Sequence, residues 1–306
     1  SGYAVITANV STWTHWDLPG GTVEIVLGSN IGGGLANGGD AVILKDSSAT
    51  EIDDMSYGTN TSKLDPAVPV SGGGDALKNS PRHEDTFTFD VPGIGKKLDC
   101  FLVFPERKDK APVVIVIHEI FGLSEWIKGV ADHLAKQGFI AIAPNMITGS
   151  HGGDTSALIR SLSPEEVLAK LDAVRDYGIK LPAANGKTAA IGFCWGGSTT
   201  FQYAVDQPGL NAATVYYGTS PATEDLKKIN APVLGLYGEM DERVNATIPA
   251  AEEEMKKLGK TYEKHIFTNA GHGFARAQEG REGDNGKGAT QGWTRMIEFL
   301  REHTDK

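Results

Sequence analysis

Cysteine is scarce, with only Cys100 and Cys194 in 306 residues. That count excludes a disulfide-stapled scaffold and a cysteine-built zinc site, and leaves one bridge formally open. Basic residues are outnumbered, 29 Lys and Arg against 39 Asp and Glu, giving a net charge of -10 and an isoelectric point near 5.3. Nucleic acid and anionic membranes need a basic surface, so neither is expected as a partner. No apolar run is long enough to span a bilayer, and no charged-then-apolar signal sequence stands at the N-terminus. Repeats are lacking, and low complexity is confined to glycine clusters. What remains is an ordinary globular composition, 40% hydrophobic and 22% charged, with length for one large domain or two smaller ones.

One stretch organises the rest: Ala189-Ala190-Ile191-Gly192-Phe193-Cys194-Trp195-Gly196-Gly197. An apolar strand runs into a glycine-flanked cysteine and then a helix. Gly192 and Gly196 fit the G-x-nucleophile-x-G spacing of a nucleophile elbow, with cysteine replacing serine, because the crowded backbones there need small neighbours. The helix start sets partial positive charge beside the Cys194 sulfur.

Residues 1–70 are rich in Gly, Thr, Ser, Asn and Asp, and their short apolar runs, Thr22 to Leu27 and Asp40 to Leu44, read as strands between turns. Gly32-Gly33-Gly34 lacks the following Lys-Ser/Thr of a phosphate loop. Residues 71–84, with Gly72-Gly73-Gly74, read as a linker, and a second domain spans 85–306. In it Thr86 to Val91 and Lys97 to Pro105 read as a hairpin, with Cys100 as a buried mid-strand hydrophobe.

From Ala111 onwards, continuous apolar strands alternate with amphipathic helices, which implies a mostly parallel sheet covered on both faces. Strands are expected over 112–117, 139–143, 187–193, 212–217, 232–237 and 262–266, and helices over 124–137, 164–177, 198–205, 248–258 and 291–303. The order is that of the α/β-hydrolase fold. There an acid follows the nucleophile and a histidine comes last. Asp241 stands at the mouth of an apolar strand, and His272 lies in the loop Asn269-Ala270-Gly271-His272-Gly273-Phe274. Free cysteine is only a few per cent thiolate near neutral pH, so His272 would take its proton while Asp241 holds the imidazole tautomer. The oxyanion formed needs two N–H donors, one from Trp195 and one from the loop His118-Glu119-Ile120-Phe121-Gly122. His118-Glu119 does not open a zinc-protease motif, since Gly122 stands where its second histidine should be, and Lys187-Thr188 is no Walker motif.

Two resemblances add to this. Val114 to Leu123, Gly192 to Gly197, Tyr216-Tyr217-Gly218, Asp241 and Ala270 to Arg276 together resemble the dienelactone hydrolase family over residues 85–306. That resemblance implies a Cys194, Asp241, His272 triad, an oxyanion hole at Ile120 and Trp195, no cofactor or metal, and hydrolysis of a lactone or enol ester. It also implies that Glu119 hydrogen-bonds or deprotonates the thiol when substrate arrives, and that Arg276, with Tyr217, holds the substrate. The family's second carboxylate-binding arginine has only a loose counterpart in Arg160, within the Gly-Ser-rich segment 147–163, where His151 and Asp154 read as surface loop. Gly34 to Asp40, Val42 to Asp46, Ile52-Asp53 and Ser56-Tyr57-Gly58 resemble the C-terminal half of a lamin-tail-type β-sandwich. A half-sandwich leaves open edges, which implies pairing with the following domain or with another copy of the chain.

The function expected is a cysteine-dependent carboxylic-ester hydrolase acting on a small ester or lactone. A general carboxylesterase or thioesterase of the same fold, and a non-enzymatic adhesion or scaffold protein, stand as alternatives. The start without Met and the β-rich segment lean towards export, the unpaired thiol towards a reducing cytoplasm, and export is taken.

Overall fold

The computed structural model describes the backbones of four N-terminal strands, Leu77, and residues 80–305 other than His151. The chain divides into two units, Ser1–Asp65 and Pro66–Lys306. In the first, β1 (Ala4–Thr7) pairs in parallel with β2 (Val23–Val26), and β3 (Gly39–Lys45) pairs antiparallel with β4 (Glu51–Gly58). The strands expected at Thr22 to Leu27 and Asp40 to Leu44 are therefore present. The lamin-tail resemblance and the pairing of open edges rest on side chains and connections that lie outside the described residues.

The second unit opens with β5 (Glu84–Val91) and β6 (Lys96–Val103), an antiparallel pair as the alternation predicts. Residues 80 and 82, inside the stretch read as a linker, are already fixed to this unit. Ser80 Oγ and the Arg82 guanidinium donate to the buried Asp132 carboxylate, each bond 2.6 Å.

Then come β7 (Ala111–Ile117), α1 (Glu125–Lys136), β8 (Ile140–Pro144), α2 (Thr155–Arg160), α3 (Pro164–Ile179), β9 (Ala184–Phe193) and α4 (Trp195–Asp206). The chain continues through β10 (Ala212–Tyr216), β11 (Val233–Gly238), α5 (Glu242–Asn245), α6 (Ile248–Lys257), β12 (Tyr262–Phe267) and α7 (Asp284–Thr304). Eight strands form one sheet, ordered β12-β11-β10-β9-β7-β8-β6-β5, in which only the β5–β6 and β6–β8 pairings are antiparallel.

Alternation along β7 shows why its residues read as an unbroken apolar run. Val114 and Val116 pack with α1 and α7, through Ile127, Leu134, Met296 and Leu300, whereas Val113, Ile115 and Ile117 pack with α3 and α4, through Val174 and Phe201. Successive side chains on a strand face opposite ways, so a sheet covered on both sides needs apolar residues at every position. Ser124 caps α1 by accepting from Ile127 N, and Ser163 caps α3 ahead of Pro164 at its first turn. Because the central strands are parallel, the loops leaving β7, β9, β11 and β12 converge at one edge of the sheet, where ligands bind in this architecture.

Candidate active site

Cys194 sits between β9 and α4 with φ 56 and ψ -114, a conformation that a side chain adopts at a cost of roughly 1–3 kcal/mol. Its N–H donates to Tyr216 O at 3.1 Å and its carbonyl accepts from Ser198 N at 3.1 Å, which holds the turn. The flanking glycines are obligatory: a Cβ on Gly192 would lie 2.1 Å from Gly196 O, and one on Gly196 would lie 2.3 Å from Ile117 O.

Three side chains from three loops form a line. His272 Nε2 lies 3.1 Å from Cys194 Sγ, and His272 Nδ1 lies 2.5 Å from Asp241 Oδ2. Asp241 follows β11, is 7% exposed, and also caps α5 by accepting from Val244 N. The His272 loop is clamped from α7, where buried Asn285 accepts from Gly271 N and donates to Ala277 O. The hydrogen bond to Asp241, then the contact with Cys194, pulls His272 up to about 9.

Glu119 is 3% exposed and its Oε2 accepts from Arg276 Nε at 2.8 Å. Burial pushes this carboxyl above the ordinary range, and Arg276 offsets part of the rise. The guanidinium also lies over the exposed Phe121 ring, 4.6 Å from its centroid. Arg276, expected to hold a substrate carboxylate, thus meets Glu119 first. Tyr217 has no exposed surface; its ring packs edge-on to His272 at 5.2 Å and its hydroxyl has no partner among the described residues. Of the two expected oxyanion donors, Ile120 lies in the loop after β7 and Trp195 at the first turn of α4. Beside Trp195 a cavity of about 300 Å³ has a mixed lining, Leu162, Val167 and Leu168 together with Ser198, Gln202 and Asp206, and none of Cys194, Asp241 and His272 lines it.

Of the remaining residues, Arg160 is exposed at the end of α2, and Asp154 caps that helix through Ser156 N. His151 lies outside the described residues. Cys100 is fully buried in β6, and burial pushes its thiol far up. Among the described residues no group of three or more His, Cys, Asp or Glu could hold a metal ion.

Residues 98–304 match the model of the dienelactone hydrolase family. The chain belongs to that family. It is 30% identical over 238 residues, 71% of this chain and 86% of the relative, to a candidate carboxymethylenebutenolidase of Escherichia coli O157:H7. It is likewise 30% identical over 248 residues, 68% of this chain and 95% of the relative, to one from Saccharolobus solfataricus. The crystal structure of a candidate dienelactone hydrolase from Klebsiella pneumoniae superposes with a TM-score of 0.62 at 30% identity, over 72% of this chain and 99% of that one.

Within this dienelactone hydrolase fold, two positions with a bearing on the site carried no expectation from sequence. Asn285 was hidden because α7 begins well before the helix read from Gln291. His118 reads in sequence as the first residue of the loop after β7 and as part of a failed zinc motif, with no role of its own, yet it is wholly buried. The Ser-Pro-Glu-Glu start of α3 could have pointed to Lys170 on its inner face, which reaches that same loop region through Met146 O.

Proposed function

We propose that this chain hydrolyses a small carboxylic ester or lactone through a thioester on Cys194. The observation that carries the reading is the line Sγ–Nε2, Nδ1–Oδ2 at 3.1 and 2.5 Å across three separate loops. Its order and spacing match a nucleophile, a base and the group that orients it.

Cys194 Sγ attacks the ester carbonyl carbon, its proton passing to His272 Nε2, and the carbonyl π electrons move onto oxygen. Ile120 N–H and Trp195 N–H receive that oxyanion. On collapse the C–O bond to the alcohol breaks, His272 returns its proton to the departing oxygen, and a thioester remains. Water then gives a proton to His272 and adds to the thioester carbonyl; collapse of the second intermediate releases the acid and restores the thiol. Asp241 holds the imidazole so that Nε2 faces sulfur throughout. Glu119 is the second acid–base group, placed beside Ile120 in the loop and held off by Arg276 until substrate displaces it.

One feature favours a general carboxylesterase as the second reading: Arg276 is engaged by Glu119, so its guanidinium is committed inside the site before any substrate carboxylate arrives. Family membership stands against a non-enzymatic scaffold.

The test is to mix the protein with p-nitrophenyl acetate, quench, and weigh it. An acetyl group on Cys194, absent from Cys194→Ala and from iodoacetamide-treated protein, is expected. Turnover that survives alkylation without an acyl adduct would overturn the reading. A parallel panel of neutral esters and carboxylated lactones separates the two substrate classes.

A further inference from the structure

His118 directly follows β7 and is fully buried. Its Nε2 lies 3.2 Å from Met146 N, a group that can only donate, so Nε2 accepts and the ring proton sits on Nδ1. That Nδ1–H lies 2.7 Å from Glu119 O, which also accepts from Gly122 N at 3.3 Å. The tautomer therefore follows from the neighbours alone.

The Glu119 carbonyl and the Ile120 N–H belong to one trans peptide plane, pointing in opposite directions. Whatever fixes the carbonyl fixes the N–H. The same imidazole lies against the Trp195 indole, ring centroids 5.8 Å apart and planes 26° from parallel. Behind it, Met146 O accepts from the buried Lys170 Nζ at 2.6 Å, and Lys170 pairs with Glu166 at 2.7 Å, so the anchor is tied into α3.

We infer that His118 is a positioning residue: one buried imidazole orients the peptide carrying the Ile120 N–H and backs Trp195, setting both oxyanion donors at once. The inference rests on the oxyanion roles given to Ile120 and Trp195 under the proposed function. Burial, with the Lys170 charge adding to it, pushes His118 down to about 4, so the ring stays neutral and keeps its one donor and one acceptor.

The test compares His118→Gln, whose amide reaches Met146 N–H but loses the short donor to Glu119 O, with His118→Asn, whose amide N–H replaces that donor. Three readouts are taken: steady-state p-nitrophenyl acetate hydrolysis, affinity for a methyl trifluoromethyl ketone, and the rate of Cys194 alkylation by iodoacetamide. Alkylation needs sulfur and histidine but no oxyanion hole. For His118→Gln, kcat and ketone affinity should both fall on the order of 10²–10³-fold, the effect of a lost oxyanion donor, with KM and alkylation rate within about threefold. His118→Asn should recover at least about tenfold of that loss. Equal losses in alkylation and turnover would mean a merely structural role and overturn the inference. Unchanged turnover in His118→Gln with normal alkylation would overturn it too, leaving the thiol mechanism intact. Wild-type turnover that is insensitive to iodoacetamide would instead sink the underlying mechanism. If neither variant folds, ¹⁵N-histidine spectra of the wild type decide: a neutral Nδ1–H ring is expected among the histidines, and an Nε2–H or doubly protonated His118 at neutral pH overturns the inference.

Discussion

Arg276 donates from Nε to the buried Glu119 carboxylate across 157 residues of sequence, which ties the loop after β7 to the segment that follows His272. An arginine spent on an internal carboxylate cannot be removed without changing that carboxylate. Arg276→Ala should therefore slow neutral esters as well as carboxylated lactones, the latter by a further ten- to a hundredfold or so if the guanidinium also reads substrate. In kcat/KM for a neutral ester, Arg276→Ala and Glu119→Gln should be strongly non-additive, with a coupling of about 1–3 kcal/mol in the double-mutant cycle. Additive losses would show that the two side chains act apart.

Loss of the nucleophile should separate activity from stability. Cys194→Ala is expected to lower turnover by about 10³-fold or more while the protein stays folded, and Cys194→Ser should retain weak activity. At φ 56, glycine is at ease where alanine is strained. Cys194→Gly should accordingly be about 1 kcal/mol more stable than Cys194→Ala, read from urea unfolding midpoints.

The pH dependence above neutrality should follow His272, held up to about 9 chiefly by Asp241. A proton bound more tightly in the folded than in the unfolded chain stabilises the fold fully below the unfolded value near 6.5, and that stability is lost as pH rises through about 9. Because His272 must be unprotonated to take the Cys194 proton, wild-type kcat/KM should rise with pH and level off only above about 9. Melting temperature should decline over the same window, and Asp241→Asn should flatten that decline.

His118 has the opposite sign. Its folded value, about 4, lies below the ordinary 6.5, so its contribution is present above 6.5 and disappears as pH falls through about 4. A depression of that size corresponds to roughly 3 kcal/mol. Between pH 7 and 4 the wild type should lose about that much more stability than His118→Asn, measured by chemical unfolding at each pH.

The central strands and the elbow were legible because each is a local pattern: an apolar run, a glycine pair, a cap such as Ser163 before Pro164. Chain order then placed Asp241 and His272. The first two turns of α7 were not legible, since Gly286 and Gly288 argue against a helix by propensity. The structure shows why glycine stands there: a Cβ on Gly288 would come 3.1 Å from Phe267 Cβ, and one on Gly292 3.4 Å from the Phe267 ring. Close approach of α7 to β12 outweighs propensity. In the Gly-Ser-rich segment before α3, the short helix α2 went unread because six residues are too few to show a helical period and its start depends on Asp154 accepting from Ser156 N. Pairings such as Arg276 with Glu119, or Asn285 with the His272 loop, join residues whose proximity no periodicity encodes.

The two cysteines occupy chemically separate worlds. Cys100 is sealed in β6 with no exposed surface, while Cys194 is only partly covered at the mouth of the sheet. A thiol reagent added to the native protein should therefore titrate Cys194 alone, one equivalent per chain, and the second equivalent should appear only when the sheet opens. Under the proposed mechanism, thiol titration doubles as a count of active sites and an unfolding clock, with the lag between the two equivalents timing the loss of the core.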